Sequence, residues 1–244
     1  MTLLDVGDSV GMGRYGLHYN SRLSVGPLEP AKLELNLRVF EGALLASAPA
    51  RSLAFLIDDR GGRTFASAFE KEVARRLSAG VARLAHGDLE GGASQIRGLG
   101  YGLTPSGDDF LAGFLLGMHA LEMATGIDLA AQRRAVHEAA RGGNPFSEAL
   151  LRSAAEGRCF ERAGSLIRSL FEGVEPDVLR HARRLFAVGA SSGADLGVGL
   201  LFALKGCPCG AGWKPAGGLL TRLRRFPIGA QDTILPHAKV TAWS

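Results

Sequence analysis

The 244-residue sequence predicts an α+β protein: a β-rich N-terminal sheet or small barrel, then an all-helical C-terminal part with two central apolar helices. Three observations lead there. Apolar residues alternate with polar ones, and β-formers are common, in KLELNLRVF (Lys32 to Phe40) and SLAFLIDD (Ser52 to Asp59). From Phe69 onward the apolar residues recur at helical spacing. Two later segments, opening near Asp109 and Leu196, are apolar on every face, as buried central helices are.

The N-terminal strands are separated by turn signals at Gly26-Pro27, at Glu29-Pro30 and at Asp59-Arg60-Gly61-Gly62, the last suggesting a hairpin that returns through Phe65. This gives a β-rich unit over residues 1–66. Residues 67–205 form a helical unit. Phe69, Val73, Leu77, Val81 and Leu84 mark its first helix, and residues 87–102 read as a glycine-rich connection. Thr125-Gly126 ends the helix that begins near Asp109, and the next starts near Asp128. Asn144-Pro145 pairs an asparagine N-cap with proline in the first turn, a strong helix start. Further helices run from Cys159 to about Glu172, from Pro176 to Gly189 and from Leu196 to Lys205. Residues 206–244 form a Gly/Pro-rich tail with one short strand candidate near Lys239 to Trp243.

Composition excludes several classes of function. A net charge of +4 with scattered arginine pairs is too mild and too dispersed for a nucleic-acid binder. The longest apolar run, Phe110 to Ala120, falls short of the roughly 20 residues that a membrane span needs. The opening MTLLDVGDSV has no basic, apolar leader, so a cytoplasmic protein is expected. Cys159, Cys207 and Cys209 lack the second pair or histidines of a zinc site and read as reduced thiols.

The stretch with the most chemistry is GLGYGLTPSGDDFLAGFLLG, Gly98 to Gly117. It sets hydroxyls and two adjacent carboxylates at the mouth of a helix that should be buried. A second stretch matches it: SGDDFLAGFL (Ser106 to Leu115) lies over SGADLGVGLL (Ser192 to Leu201) with the shared pattern S-G-x-D-Φ-x-x-G-x-L. Two such matches suggest an internal duplication, or one structural job done twice. Gly113 and Gly117 share a helix face, where a second backbone could approach closely.

Two readings of the mouth stand side by side. Ser106 with Asp109, and Ser192 with Asp195, fit the acidic capping box, and the first-turn charge suits the helix dipole. Thr104-Pro105 could equally serve as cap and first residue. Capping leaves Asp108 without a role. A buried charge costs several kcal/mol unless it is paired or metal-bound, so the mouth is either open to solvent or compensated. The binding reading makes it a polar pocket. Helix N–H groups at Gly107, with Thr104 and Ser106, would hold a small anion, while Asp108 and Asp109 hold Mg²⁺ or a substrate amide. Ser191, Ser192 and Asp195 would supply the opposing half if the two apolar helices pack with their mouths adjacent. Asn144 and Ser147 are further candidates for the same pocket. No Ser/His/Asp or Cys/His arrangement stands out.

GLGYGLTPSGDDFLAGF, NPFSEALLRSAAEG (Asn144 to Gly157) and GASSGADLGVGLL (Gly189 to Leu201) together resemble a bacterial domain family that includes the AllH-type subunit of oxamate carbamoyltransferase, from anaerobic allantoin degradation. The resemblance spans Gly98 to Leu204, with Tyr101 where a small residue or proline would be expected. It implies a transferase subunit working with other carbamoyltransferase subunits, one of them acyl-CoA-synthetase-like. Those subunits exchange a carbamoyl group between oxalurate and phosphate, giving oxamate and carbamoyl phosphate. The implied ligands are small anions; no cofactor is certain, and Mg²⁺ is possible. Asp108 and Asp109 are then the candidate catalytic and metal-holding residues. The remaining alternatives are a non-catalytic scaffold or anion-binding subunit, and a Mg²⁺-dependent hydrolase using the paired aspartates.

Overall fold

The computed structural model describes residues 20–57, 67–100 and 102–206. Among them no β-strand forms; the segments organise into α-helices and one 3-10 turn, with a single isolated bridge between Arg22 and Arg158. The expected β-rich N-terminal sheet or barrel is therefore corrected to helix. The hairpin near Asp59 to Phe65, the tail after Gly206 and its strand candidate, Cys207 and Cys209 lie outside the described residues.

The correction has a readable cause. KLELNLRVF lies inside helix α1 (Pro30–Ser47), which starts with proline in its first turn. Its buried residues are Leu33, Asn36, Leu37, Phe40, Ala43 and Leu44, a 3.6-residue period, while Leu35 is 57% exposed. The alternation of Leu33, Leu35 and Leu37 hid that period because a polar residue, Asn36, occupies a core position. Asn36 Nδ2 donates to the carbonyls of Ser169, Leu170 and Gly173 at 3.2, 3.0 and 3.1 Å. It thereby serves the carbonyls that end helix α7 (Glu161–Glu172). The second expected strand becomes the 3-10 turn Leu53–Leu56, with Leu53 through Ile57 all buried. A short run that is buried on every side carries no period to separate strand from helix.

Helix α2 (Ala68–Ala85) opens on a full capping box, with Ser67 as cap and Glu70 reaching back. The expected glycine-rich connection contains another helix, α3 (Leu89–Ile96), capped by Asp88. Gly92 lets α3 lie directly on α2, since a Cβ there would stand 2.8 Å from both the Gly80 carbonyl oxygen and the Leu84 nitrogen. Then follow α4 (Ser106–Thr125), α5 (Ala130–Ala140), α6 (Pro145–Ala155), α7, α8 (Glu175–Phe186) and α9 (Ser192–Gly206). These match the expected helices, and Gly126 closes α4 in the left-handed conformation.

Helices α4 and α9 are central, as their sequences require. Nearly every residue from Ser106 to Leu121 and from Gly193 to Leu204 is buried. They pack on each other more extensively than any other pair. A Cβ on Gly113 would sit 1.9 Å from the Leu196 carbonyl oxygen, and one on Gly199 would sit 1.9 Å from the Phe110 carbonyl oxygen. Further along, a Cβ on Gly117 would be 2.5 Å from that of Ala203. Contacts that advance together along both chains mean that the helices run parallel, with their N-termini side by side. The equivalence extends to the preceding helices. Gly107 lies on the Ile96 carbonyl oxygen and Gly193 on that of Leu185, each at a virtual Cβ distance of 1.9 Å. The Gly107 N–H donates to Leu99 (2.8 Å), and the Gly193 N–H donates to Val188 (3.0 Å). The α3–α4 and α8–α9 units are thus two copies of one arrangement, related by a local two-fold axis between α4 and α9. The stretch from Leu99 to Gly107 is three residues longer than its counterpart from Val188 to Gly193.

Candidate functional site

The parallel packing places both S-G-x-D motifs at one end of the central pair. Helix α4 has Pro105 in the cap position and forms no side-chain cap bond, so the capping-box reading fails at Ser106. The carboxylates reach elsewhere. Asp109 Oδ2 accepts from Thr104 Oγ1 at 3.2 Å, and Thr104 Oγ1 also lies 3.4 Å from Ser192 Oγ. Asp195 Oδ1 accepts from the Leu53 backbone N–H at 2.6 Å. Each aspartate therefore stands near the serine of the other motif: Asp109 by Ser192, and Asp195 by Ser106, with Ser191 alongside. Asp195 Oδ2 nevertheless forms no hydrogen bond.

This mouth is closed. Asp109 is 3% exposed and Asp195 is 0% exposed. Burial pushes the Asp109 carboxyl up to about 7; Ser192 and Thr104 pull it down, while Asp195 and Asp108 push it further up. Burial likewise raises Asp195 to about 6, against the Leu53 N–H and the hydroxyls of Ser106 and Ser191. Two parallel helix N-termini favour negative charge here, by roughly 0.3–1 kcal/mol each. Removing a carboxylate from water costs several kcal/mol, and that cost outweighs the helix dipoles. The result is a pair of carboxyls that exchange protons near neutral pH, as a general acid or base must.

Asp108 engages a different set. It is 1% exposed; its Oδ1 accepts from the Gly98 N–H at 2.7 Å, and its Oδ2 has no hydrogen-bond partner. Adjacent residues on a helix do not share a face, and Asp108 accordingly turns toward α6 while Asp109 turns toward α9. Asn144 caps α6, its Oδ1 accepting from the N–H groups of Phe146 and Ser147, and its Nδ2 donates 2.8 Å to the Leu103 carbonyl. One asparagine so ties the start of α6 to the loop that carries Thr104. Ser147 is fully buried, and its Oγ has no partner.

The structure thus gathers Thr104, Ser106, Asp109, Ser191, Ser192 and Asp195 into one cluster. Asp108, Asn144 and Ser147 form a neighbouring one. The Gly107 N–H is engaged by Leu99 and its α-carbon by Ile96, a packing role. No group of three or more His, Cys, Asp or Glu side chains placed to hold a metal occurs among the described residues. Sequence reasoning missed the Leu53 N–H, which reaches Asp195 from 142 positions away and carries no signal in a backbone donor.

Among the described residues, the fold and site define a helical arrangement built on a duplicated pair of parallel, glycine-notched helices with carboxyls buried at their common mouth. Residues 96–204 match the family model described as oxamate carbamoyltransferase subunit AllH. The match runs from the last residue of α3 nearly to the end of α9, and so contains both motifs. No curated protein and no solved structure matches the chain. No described helix is long and apolar enough to cross a membrane.

Proposed function

We propose that the chain is a subunit of an oxamate carbamoyltransferase-like enzyme and that the shared mouth of α4 and α9 is its ligand site. The observation that carries this reading is Thr104, whose hydroxyl stands between Asp109 of one motif and Ser192 of the other. A purely structural capping scheme would keep each motif's bonds within its own helix. The substrates are small anions bearing an amide or phosphate, such as carbamoyl phosphate and oxamate, from purine and allantoin nitrogen catabolism. Other subunits of the complex, including an acyl-CoA-synthetase-like one, complete the reaction. Asp109 and Asp195 move the proton that a carbamoyl transfer must add to or take from nitrogen or oxygen, and the serine and threonine hydroxyls orient the substrate. Mg²⁺, if used, would be held by Asp108 or Asp109 together with phosphate oxygens of the substrate.

A second reading is a non-catalytic scaffold or anion-binding subunit. It draws support from the Gly107 N–H and Asp195 Oδ1, both engaged within the protein. Thermal unfolding of the full chain separates the two. Phosphate, carbamoyl phosphate and oxamate are each added with and without Mg²⁺, to the native chain and to Asp109→Ala. A ligand at a hundredfold its dissociation constant stabilises by about 2.7 kcal/mol. A shift that disappears in Asp109→Ala supports the site and its ligand class. Absence of any shift overturns it in favour of the scaffold, and a shift only with Mg²⁺ assigns the metal.

A further inference from the structure

A separate concavity lies away from the carboxyls of the mouth. It is a pocket of about 340 Å³ between α4, α6, α9 and the turn that leads into α7. Small-molecule sites occupy roughly 300–1,000 Å³, so one small ligand fits. Leu116 of α4, Ala154 of α6 and Leu196 of α9 are almost fully buried and form its floor. Leu150 and Phe160 are half-buried and form its sides, and Ala149 is exposed at its rim. The pocket therefore opens to solvent over an apolar base. None of its lining residues belongs to the carboxyl cluster or to the set around Asp108.

One charged residue lines it, Arg158. Arg158 Nη1 lies 3.5 Å from Ser21 Oγ, and Ser21 is itself a lining residue, so the guanidinium stands at that edge of the pocket. Arg158 Nε also meets Glu156 Oε2 at 3.4 Å, with both side chains about half exposed. An exposed ion pair holds its partners weakly, and a guanidinium has more donors than these two contacts use. Glu156 does not line the pocket, so a ligand carboxylate can take its place on Arg158. The edge is built rather than loose. The Leu23 N–H donates to the Gly157 carbonyl at 2.8 Å, and the Cys159 N–H donates to the Ser21 carbonyl at 2.9 Å. The Arg158 N–H donates to the Ser153 carbonyl at 2.8 Å. These bonds fix the backbone on both sides of the cation before any ligand arrives, which lowers the ordering cost of binding.

We propose that this pocket binds a small aliphatic carboxylate, its hydrocarbon body on Leu116, Leu150, Phe160 and Leu196 and its carboxylate on Arg158 and the Ser21 hydroxyl. An apolar hollow alone would take a neutral molecule, and a surface arginine alone would take any anion. Side by side they select a molecule that has both parts. The site goes beyond the proposed function and stands independently of it, since it shares no residue with the mouth.

The test is isothermal titration of the full chain with hexanoate, 1-hexanol and acetate, which separate the contributions of head and tail. Hexanoate is expected to bind, with 1-hexanol and acetate each weaker by about tenfold or more, because one lacks the charge-assisted bond and the other the apolar contact. Arg158→Gln should bring hexanoate down to the level of 1-hexanol and leave 1-hexanol unchanged. Ser153→Phe, which fills the pocket from α6, should abolish binding of both. Methyl NMR of the native chain locates the ligand without any variant: Leu116, Leu150 and Leu196 should shift together on adding hexanoate. Hexanoate that does not bind, that binds no better than 1-hexanol, or that leaves those three leucines unshifted overturns the site. So does a preference for hexanoate over 1-hexanol that survives Arg158→Gln.

Discussion

Gly113 and Leu196 meet backbone to backbone: a Cβ on the glycine would fall 1.9 Å from the leucine carbonyl oxygen. Gly199 repeats the contact on Phe110. Neither contact can be relieved by turning a side chain, because the obstacle is backbone. Gly113→Ala and Gly199→Ala must push α4 and α9 apart and are expected to lose about 3 kcal/mol or more each. Urea unfolding measures this; a loss below 1 kcal/mol would contradict the close parallel pairing.

Stability should depend on pH through the buried carboxyls. Asp109 and Asp195 hold their protons up to about 7 and about 6 in the folded chain, against the usual carboxylate range when unfolded. Between about pH 4 and 7 the folded state therefore binds more protons than the unfolded one, so stability falls as pH rises through that window. Asp109→Asn removes much of the dependence and should be more stable than the native chain at pH 8. Denaturant midpoints measured from pH 4 to 8 check the slope, and an unchanged slope in the variant would contradict the assignment.

Thr104 donates to the charged form of Asp109. Thr104→Val keeps the shape and removes the donor, so the Asp109 carboxyl should titrate at still higher pH. Carboxyl-carbon NMR of the two proteins compares the midpoints directly; a midpoint that falls would mean that the threonine is not a partner.

Asn36 is a stability test far from the mouth. Its amide serves three carbonyls at the end of α7. Asn36→Leu keeps the bulk and improves the apolar pattern of α1, yet takes the side-chain donor from the Leu170 and Gly173 carbonyls and leaves Ser169 with only the Gly173 N–H, and is expected to destabilise by roughly 1–3 kcal/mol. A stabilised variant would show that hydrophobic patterning outweighs the bonds.

Asn144→Ala removes both the cap of α6 and the tie to Leu103. A loss of about 1–2 kcal/mol is expected in thermal unfolding, the upper end reflecting the second bond. A loss limited to a few tenths would leave the cap without weight.

The helical half was legible because its signals are local. The Asn144-Pro145 start, the Gly126 stop and the apolar runs of α4 and α9 each declare themselves within a few residues. The repeated S-G-x-D pattern suggested a duplication but made the meeting of the two mouths a condition and not an expectation. The N-terminal third was not legible, since Asn36 puts a polar side chain on the core face of α1 for the sake of carbonyls about 133 positions away. The same distance hid the Leu53 donor. Ser106 misled in the opposite sense: its spacing to Asp109 satisfies the capping rule, but the neighbouring helix start redirects both side chains. Local rules fail where a partner remote in sequence offers a better bond.

The unequal loops of the two halves bear on how a substrate would be turned. A ligand between α4 and α9 sits near an axis that makes Asp109 and Asp195 almost interchangeable, so a two-ended molecule could enter either way round. The longer approach to α4, with Asp108 where the other half has alanine, would remove that ambiguity. The repeat makes a symmetric frame, and its unequal edge would give a bound substrate a head and a tail.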